Sequence, residues 1–224
     1  MYVHNEGIIH GDLKGVGPLT SVHSLSLDLC FSKANILINK HGRACLADFG
    51  LITIISDFTH SSTSTSTNGG TTRWMSPELL NPEQLGSKES QPTKESDCYA
   101  LGMVIYEVLS RKAPFSSYDR DFVVSRKVIE GERPRRPSGT ARAWFTDNLW
   151  IILEQCWLAQ PKDRPTTKTV LGHLEQILKT WQPLPPSLSQ GHSPLVAGQA
   201  IAGTVVGQLV GMVPITYISS NFLL

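Results

Sequence analysis

Charge is what this sequence has least to spare of one sign: 20 Lys and Arg stand against 19 Asp and Glu, for a formal net charge of +1. A nucleic-acid partner would ask for a basic stripe, and none is present, so no nucleic-acid role is expected. Cysteine is also scarce. Cys30, Cys45, Cys98 and Cys156 are scattered and make no metal-like pairs, which excludes a zinc ribbon or a disulfide framework and fits a reducing, cytoplasmic setting. The start, Met1 to Gly11, lacks the basic residues and apolar run of a signal peptide. No internal repeat is visible. Residues 183–224 contain no Asp, Glu, Lys or Arg at all.

That uncharged tail opens with Pro183, Pro185 and Pro186, which reads as a linker. Within it, 195–213 is apolar apart from Gln199, Thr204 and Gln208, and Gly203, Gly207 and Gly211 are spaced by four. Such spacing is that of a transmembrane packing face. The length is marginal for a span and no Lys or Arg flanks it, so a poorly packed tail is expected rather than a membrane anchor.

The chain as a whole, 40% hydrophobic over 224 residues, has enough for one domain with a real core, and what remains for that domain is 1–182. Ala34–Ile38 and Ala44–Ala47 flank the turn cluster Asn39 to Gly42, which predicts a short hairpin. Residues 53–72 are rich in Ser, Thr and Gly and predict a mobile loop. A helix is predicted from near Ser96, with Leu101, Val104, Ile105, Val108 and Leu109 on one stripe, Arg111 and Lys112 at its end and Pro114 stopping it. A second runs from about Thr146, turning Leu149, Ile152, Leu153, Cys156 and Trp157 inward. A third starts after Pro165 with Val170, Leu171, Leu174, Ile177 and Leu178. The predicted body is therefore mostly helical after one hairpin.

Several short motifs stand in one order along this body. They are His10-Gly11-Asp12-Leu13-Lys14, then Asn35, then Asp48-Phe49-Gly50, then Ser76-Pro77-Glu78 preceded by Gly70-Thr71-Thr72-Arg73-Trp74-Met75. Ser96-Asp97 with Tyr99 to Gly102, Cys156-Trp157 and Asp163-Arg164-Pro165 follow. Singly each has a bland explanation in turn chemistry or a solvated ion pair. Together they resemble the C-terminal lobe of the eukaryotic protein kinases, on the tyrosine-kinase-like Ser/Thr branch. The implied fold class is α+β, a kinase-like fold made mainly of the helical C-lobe with a short hairpin.

The resemblance implies a division of labour, since phosphoryl transfer rests on positioning and charge stabilisation. Asp12 corresponds to the base that accepts the substrate hydroxyl proton, and Lys14 to the cation that steadies the transferred phosphate. Asn35 and Asp48 correspond to the oxygen ligands of Mg²⁺, with ATP as the phosphate donor. Glu78 and Arg164 correspond to a pair tying the substrate-side loop to the helical core. Asp97 corresponds to the residue bracing the catalytic loop. The implied partner is a protein substrate, phosphorylated on Ser or Thr, with Tyr left open.

Three departures bear on activity. No Gly-rich loop, Val-Ala-Ile-Lys strand or partner Glu precedes His10, so the N-lobe is expected to be missing and the chain to be truncated and inactive by itself. The alternative is a catalytically dead, kinase-like module that docks proteins. Gly11 stands where Arg-bearing kinases anchor a phosphate on the activation loop, which would otherwise be Ser61 to Thr67. Finally, Asp12 and Asn35 are 23 positions apart where the signature separates them by five. Removing residues 16–33, which is 18 residues, restores five. Val16 is encoded GTN and Lys33 can be encoded AAG, the boundaries of a short in-frame intron. The mature message is therefore expected to lack codons 16–33. Sequenced transcripts that keep them in most copies would make the segment a genuine insertion.

Overall fold

The computed structural model describes residues 2–15, 35–38, 44–46, 53–54, 71–86 and 90–180. The interior of the 16–33 segment, the turn 39–43, Asp48 to Gly50, the run 55–70 and the tail from 181 onward lie outside these residues.

In chain order the elements are α1 (Tyr2–Asn5), β1 (Ile8–Ile9), β2 (Ile36–Ile38), β3 (Ala44–Leu46), β4 (Thr53–Ile54), α2 (Pro77–Leu80), α3 (Lys94–Ser110), α4 (Asp121–Ile129), α5 (Asp147–Cys156) and α6 (Thr167–Thr180). Short 3₁₀ turns punctuate them. The expected hairpin forms: β2 and β3 pair antiparallel, with Ile36 opposite Leu46 and Ile38 opposite Ala44. A second pairing was not expected. Ile8 lies opposite Ile54 and Ile9 opposite Thr53, so the Ser/Thr-rich run opens with a strand rather than a loop. Two-residue strands carry no periodicity, and their partners are far apart in sequence, which hides them from pattern reading.

The three expected helices are α3, α5 and α6. Their starts are set by capping. Thr93 Oγ1 accepts from Ser96 N at 3.1 Å while Ser96 Oγ accepts from Thr93 N at 2.9 Å, a reciprocal cap that begins α3. Thr146 Oγ1 accepts from Leu149 N to begin α5, and Thr166 Oγ1 accepts from Thr169 N to begin α6. Arg111 ends α3 in the left-handed region, at φ 59°.

Helix α3 is the axis of the domain, and here the predicted stripe was too narrow. Val104, Ile105 and Leu109 are buried, but Leu101 and Val108 are only half-buried. Cys98, Tyr99, Met103, Gly102, Asp97 and Glu107 are buried as well, so the helix is covered on most of its circumference. Leu149, Ile152, Leu153 and Cys156 of α5 pack on it, as do Val170 and Leu174 of α6. Cys98 and Cys156 meet in this contact as free thiols 3.9 Å apart. Helix α4 went unpredicted because only Val124 and Val128 mark its inner face, while Phe122 is 78% exposed.

Gly102 shows how tightly α3 and α5 meet. A Cβ there would lie 2.7 Å from Trp157 Nε1 and 2.8 Å from Cys156 Cβ. Gly102→Ala should lower stability by about 2 kcal/mol, as overpacking does. Gly172→Ala, whose Cβ would meet nothing within 4 Å in α6, should raise stability by roughly 0.5–1 kcal/mol through helix propensity. Urea unfolding midpoints of the two variants check both signs.

Candidate active site

The loop after β1 carries His10 to Gly15 across the start of α3. Asp97, in the first turn of α3 and 2% exposed, accepts the backbone N–H of His10 at 2.8 Å and of Gly11 at 2.9 Å on its two oxygens. Gly11 sits at φ 77°, a conformation that glycine adopts without strain and other residues resist. Its presence therefore has a backbone reason beside the loss of a phosphate-anchoring arginine. Asp12 N donates to His10 Nδ1 at 3.3 Å, which tucks the buried imidazole under the loop.

Three of the four expected catalytic residues come together. Lys14 Nζ lies 2.9 Å from Asp12 Oδ2. Asn35 Nδ2 donates to the same Oδ2 at 2.8 Å and to the Asp12 carbonyl at 2.5 Å. The two sides of the 16–34 segment thus meet at the residues the signature needs. Asp48, the fourth, lies outside the described residues, so its place in the site remains an expectation. Asp12 Oδ1 has no hydrogen bond among the described residues. Asn35 spends its nitrogen on Asp12, which leaves its Oδ1, an oxygen of the kind Mg²⁺ takes, without a partner among them.

The segment 71–80, expected on the substrate side, is tied down at three points. Arg164 donates in a bidentate fork to Glu78, at 2.6 Å and 2.8 Å, with the guanidinium side chain fully buried. It also donates to the carbonyls of Leu158 and Glu95. The pair expected to join this segment to the core is therefore buried, where breaking it is costly, and not the solvated pair of the bland reading.

Trp74 Nε1 donates to Glu107 Oε2 at 3.0 Å. The same carboxylate presses on Gly15, where a Cβ would fall 1.7 Å from Oε2. Arg73 donates to the carbonyls of Pro114, Phe115 and Tyr118 and lies 3.2 Å from Asp121. Its bond to Phe115 holds a non-glycine residue at φ 56°, backbone that needs support from its surroundings.

Tyr99 lies between two cations, Arg133 at 5.4 Å and Arg164 at 5.1 Å from its ring centroid. Burial pushes its hydroxyl well above the usual phenol range, although both guanidiniums pull the other way. Sequence reasoning did not find Arg73, Trp74 or Glu107 as paired groups, nor the fit of Gly15. Their partners are set by tertiary approach, and no spacing announces them.

A family model described as the protein kinase domain matches residues 27–174. The chain belongs to the protein kinase family. The matched range begins beyond Asp12, inside the anomalous segment, and takes in Asn35, Glu78, Asp97 and Arg164. The serine/threonine-protein kinase mos of Patiria pectinifera is 28% identical over 194 residues, covering 85% of this chain and 47% of the relative. A light-sensor protein kinase of Ceratodon purpureus is 34% identical over 194 residues, 80% of this chain and 13% of the relative. Mitogen-activated protein kinase kinase kinase 7 of Drosophila melanogaster is 32% identical over 148 residues, 66% of this chain and 19% of the relative. The chain thus spans less than half the length of these curated relatives. No helix among its described residues is long and apolar enough to cross a membrane.

Removing one member of the Glu78–Arg164 pair should strand a buried charge. Arg164→Met and Glu78→Gln are each expected to cost about 3–5 kcal/mol of unfolding free energy. The double variant should lose clearly less than the two together, because the partners fall as a unit. A double-mutant cycle by chemical denaturation checks it.

Proposed function

We propose that this chain carries the phosphate-side half of a kinase active site, acting on Ser or Thr hydroxyls of a protein substrate with Mg²⁺ and ATP. The observation that supports it is the way Asp12 is held. Lys14 and Asn35 both engage Oδ2, which fixes the carboxylate plane and leaves Oδ1 to meet a substrate hydroxyl. Geometry of this kind suits a general base, which must be aimed before it is strong.

The donor set fits the cofactors. Asn35 Oδ1 is a hard oxygen donor, and Asp48, by its place in Asp-Phe-Gly, would add a second. When bound, Mg²⁺–ATP supplies the phosphoryl group and the counter-charge for it. The chain's own part is positional. Asp12 orients the substrate hydroxyl and takes its proton at Oδ1. Lys14 brings a cation to the acceptor side and, through Oδ2, keeps Asp12 from rotating. Asn35 locks the carbonyl and carboxylate of Asp12 with one amide. The segment 71–80, held by Glu78 and Trp74, forms the side on which a protein substrate would lie.

Asp12→Asn should lower the rate of phosphoryl transfer to Ser/Thr peptides by on the order of 10²–10⁴ with little change in peptide KM. The assay uses the protein containing this chain, with Mg²⁺ and ATP. Equal rates for wild type and Asp12→Asn would overturn the assignment. Absence of transfer from the wild-type protein to any Ser/Thr peptide would favour a protein-docking role instead.

A further inference from the structure

The strap 114–118, between α3 and α4, takes a shape that one of its own residues resists. Phe115 is 5% exposed and stands at φ 56°, left-handed backbone that a bulky side chain avoids. In this bend the carbonyls of Pro114, Phe115 and Tyr118 converge on one guanidinium, that of Arg73. Nη1 donates to Pro114 O at 3.1 Å and to Phe115 O at 2.9 Å, and Nη2 donates to Tyr118 O at 2.7 Å. Nε lies 3.2 Å from Asp121 Oδ1 in the first turn of α4. Oxygens thus meet several edges of one rigid plane, a socket that suits the fork of an arginine and not the point charge of a lysine. The strap is itself held from two sides. Phe115 O also accepts Tyr118 N at 2.9 Å, and the Tyr118 hydroxyl donates to Glu132 Oε1 at 2.8 Å, beyond the end of α4. Helix α4 packs on the turn Thr72–Trp74 and on α2, so it backs the segment that Arg73 belongs to.

We infer that Arg73 is a positioning residue for the substrate side of the site: it docks the segment 71–80 into the strap and onto α4, and its loss weakens peptide binding while sparing the transfer step. The Asp12 loop hangs on a different support, the Asp97 carboxylate. Two supports make two separable defects. The strain at Phe115 fits this role, since strained backbone persists only where its surroundings hold it. The kinetic consequence rests on the function proposed above, in which 71–80 flanks a protein substrate; the socket itself does not.

The rival explanation is that Arg73 only stabilises the fold. Arg73→Met keeps an apolar stem and removes every donor. Arg73→Lys keeps the charge but cannot serve the three carbonyls and Asp121 together. Asp121→Asn removes the charge partner and leaves the carbonyl bonds. Amide hydrogen exchange in the full 224-residue chain, resolved by NMR, reads the anchoring. The Trp74, Met75 and Tyr118 amides donate to Thr71 O, Thr72 O and Phe115 O. In Arg73→Met they should exchange about tenfold faster, in Arg73→Lys by a factor between that and wild type, and in Asp121→Asn within about threefold of wild type. The His10 and Gly11 amides, on Asp97, and the α5 amides of Ile152 and Leu153 should be unchanged throughout.

Kinetics read the consequence, in the protein containing this chain with Mg²⁺, ATP and a synthetic peptide of the sequence 58–70. Arg73→Met should raise the peptide KM about tenfold and leave kcat within about twofold, the mark of lost uniform binding. Exchange equal to wild type in Arg73→Met would overturn the anchoring. So would α5 amides that quicken in step, which is what a merely destabilised fold gives. A fall in kcat at unchanged KM would overturn the split between the two supports. A wild-type protein that transfers no phosphate to the peptide tells against the Asp12 reading, and the exchange result then decides by itself whether Arg73 holds the segment.

Discussion

Two backbone N–H groups, those of His10 and Gly11, end on the single carboxylate of Asp97. A carboxylate buried at 2% exposure is costly unless its oxygens are filled, and here two backbone N–H donors and the His4 ring, 2.8 Å away, fill them. The cost of burial is what makes the arrangement definite. If the loop shifted, Asp97 would be left short of donors inside the protein, so the loop that carries Asp12 has one place in which the energy is low. Gly11, at φ 77°, permits the chain to present both amides to the same side chain.

The same logic recurs around α3. Its interior-facing surface is apolar where α5 and α6 pack, but polar groups on it hold three segments of the site. Asp97 holds the catalytic loop, Glu107 receives Trp74 beside Gly15, and the Glu95 carbonyl receives the guanidinium that holds Glu78. A helix covered on most of its circumference cannot move to accommodate a loose partner, which suits a scaffold for groups that must be aimed. Tyr99, flanked by Arg133 and Arg164, shows the pattern in its apolar form: its ring covers two cations while its own hydroxyl stays neutral.

The meeting of Asp12 and Asn35 bears on the 18 residues between Val16 and Lys33. Loop closure costs grow slowly with length, so a chain can carry a long insertion and still bring its ends together. Contact between the two residues at 2.8 Å is compatible with either origin of the segment, and the transcript decides between them. In either case Asn35 bonds the carboxylate and the carbonyl of Asp12 from across the segment.

Much was legible before any coordinates. Helices α3, α5 and α6 were readable because a strong apolar period survives in local sequence, while the caps that fix their starts, such as Thr93 with Ser96, came from the structure. The hairpin was readable from its turn residues. Asp12, Lys14 and Asn35 were nominated by resemblance, and the structure brings the three together. Helix α4, with two inward valines, and the β1–β4 pairing, with two residues a side, fell below what a period can reveal. The sequence by itself determined the family and the helical core and nominated the candidate side chains, because these depend on residue type and local spacing. Only the tertiary structure decided that Glu78–Arg164 is buried rather than solvated, that α3 is covered on most of its circumference, and that Trp74 meets Glu107. Those facts depend on which distant segments approach one another, and burial, which sets the strength of every polar contact here, is a property of that approach.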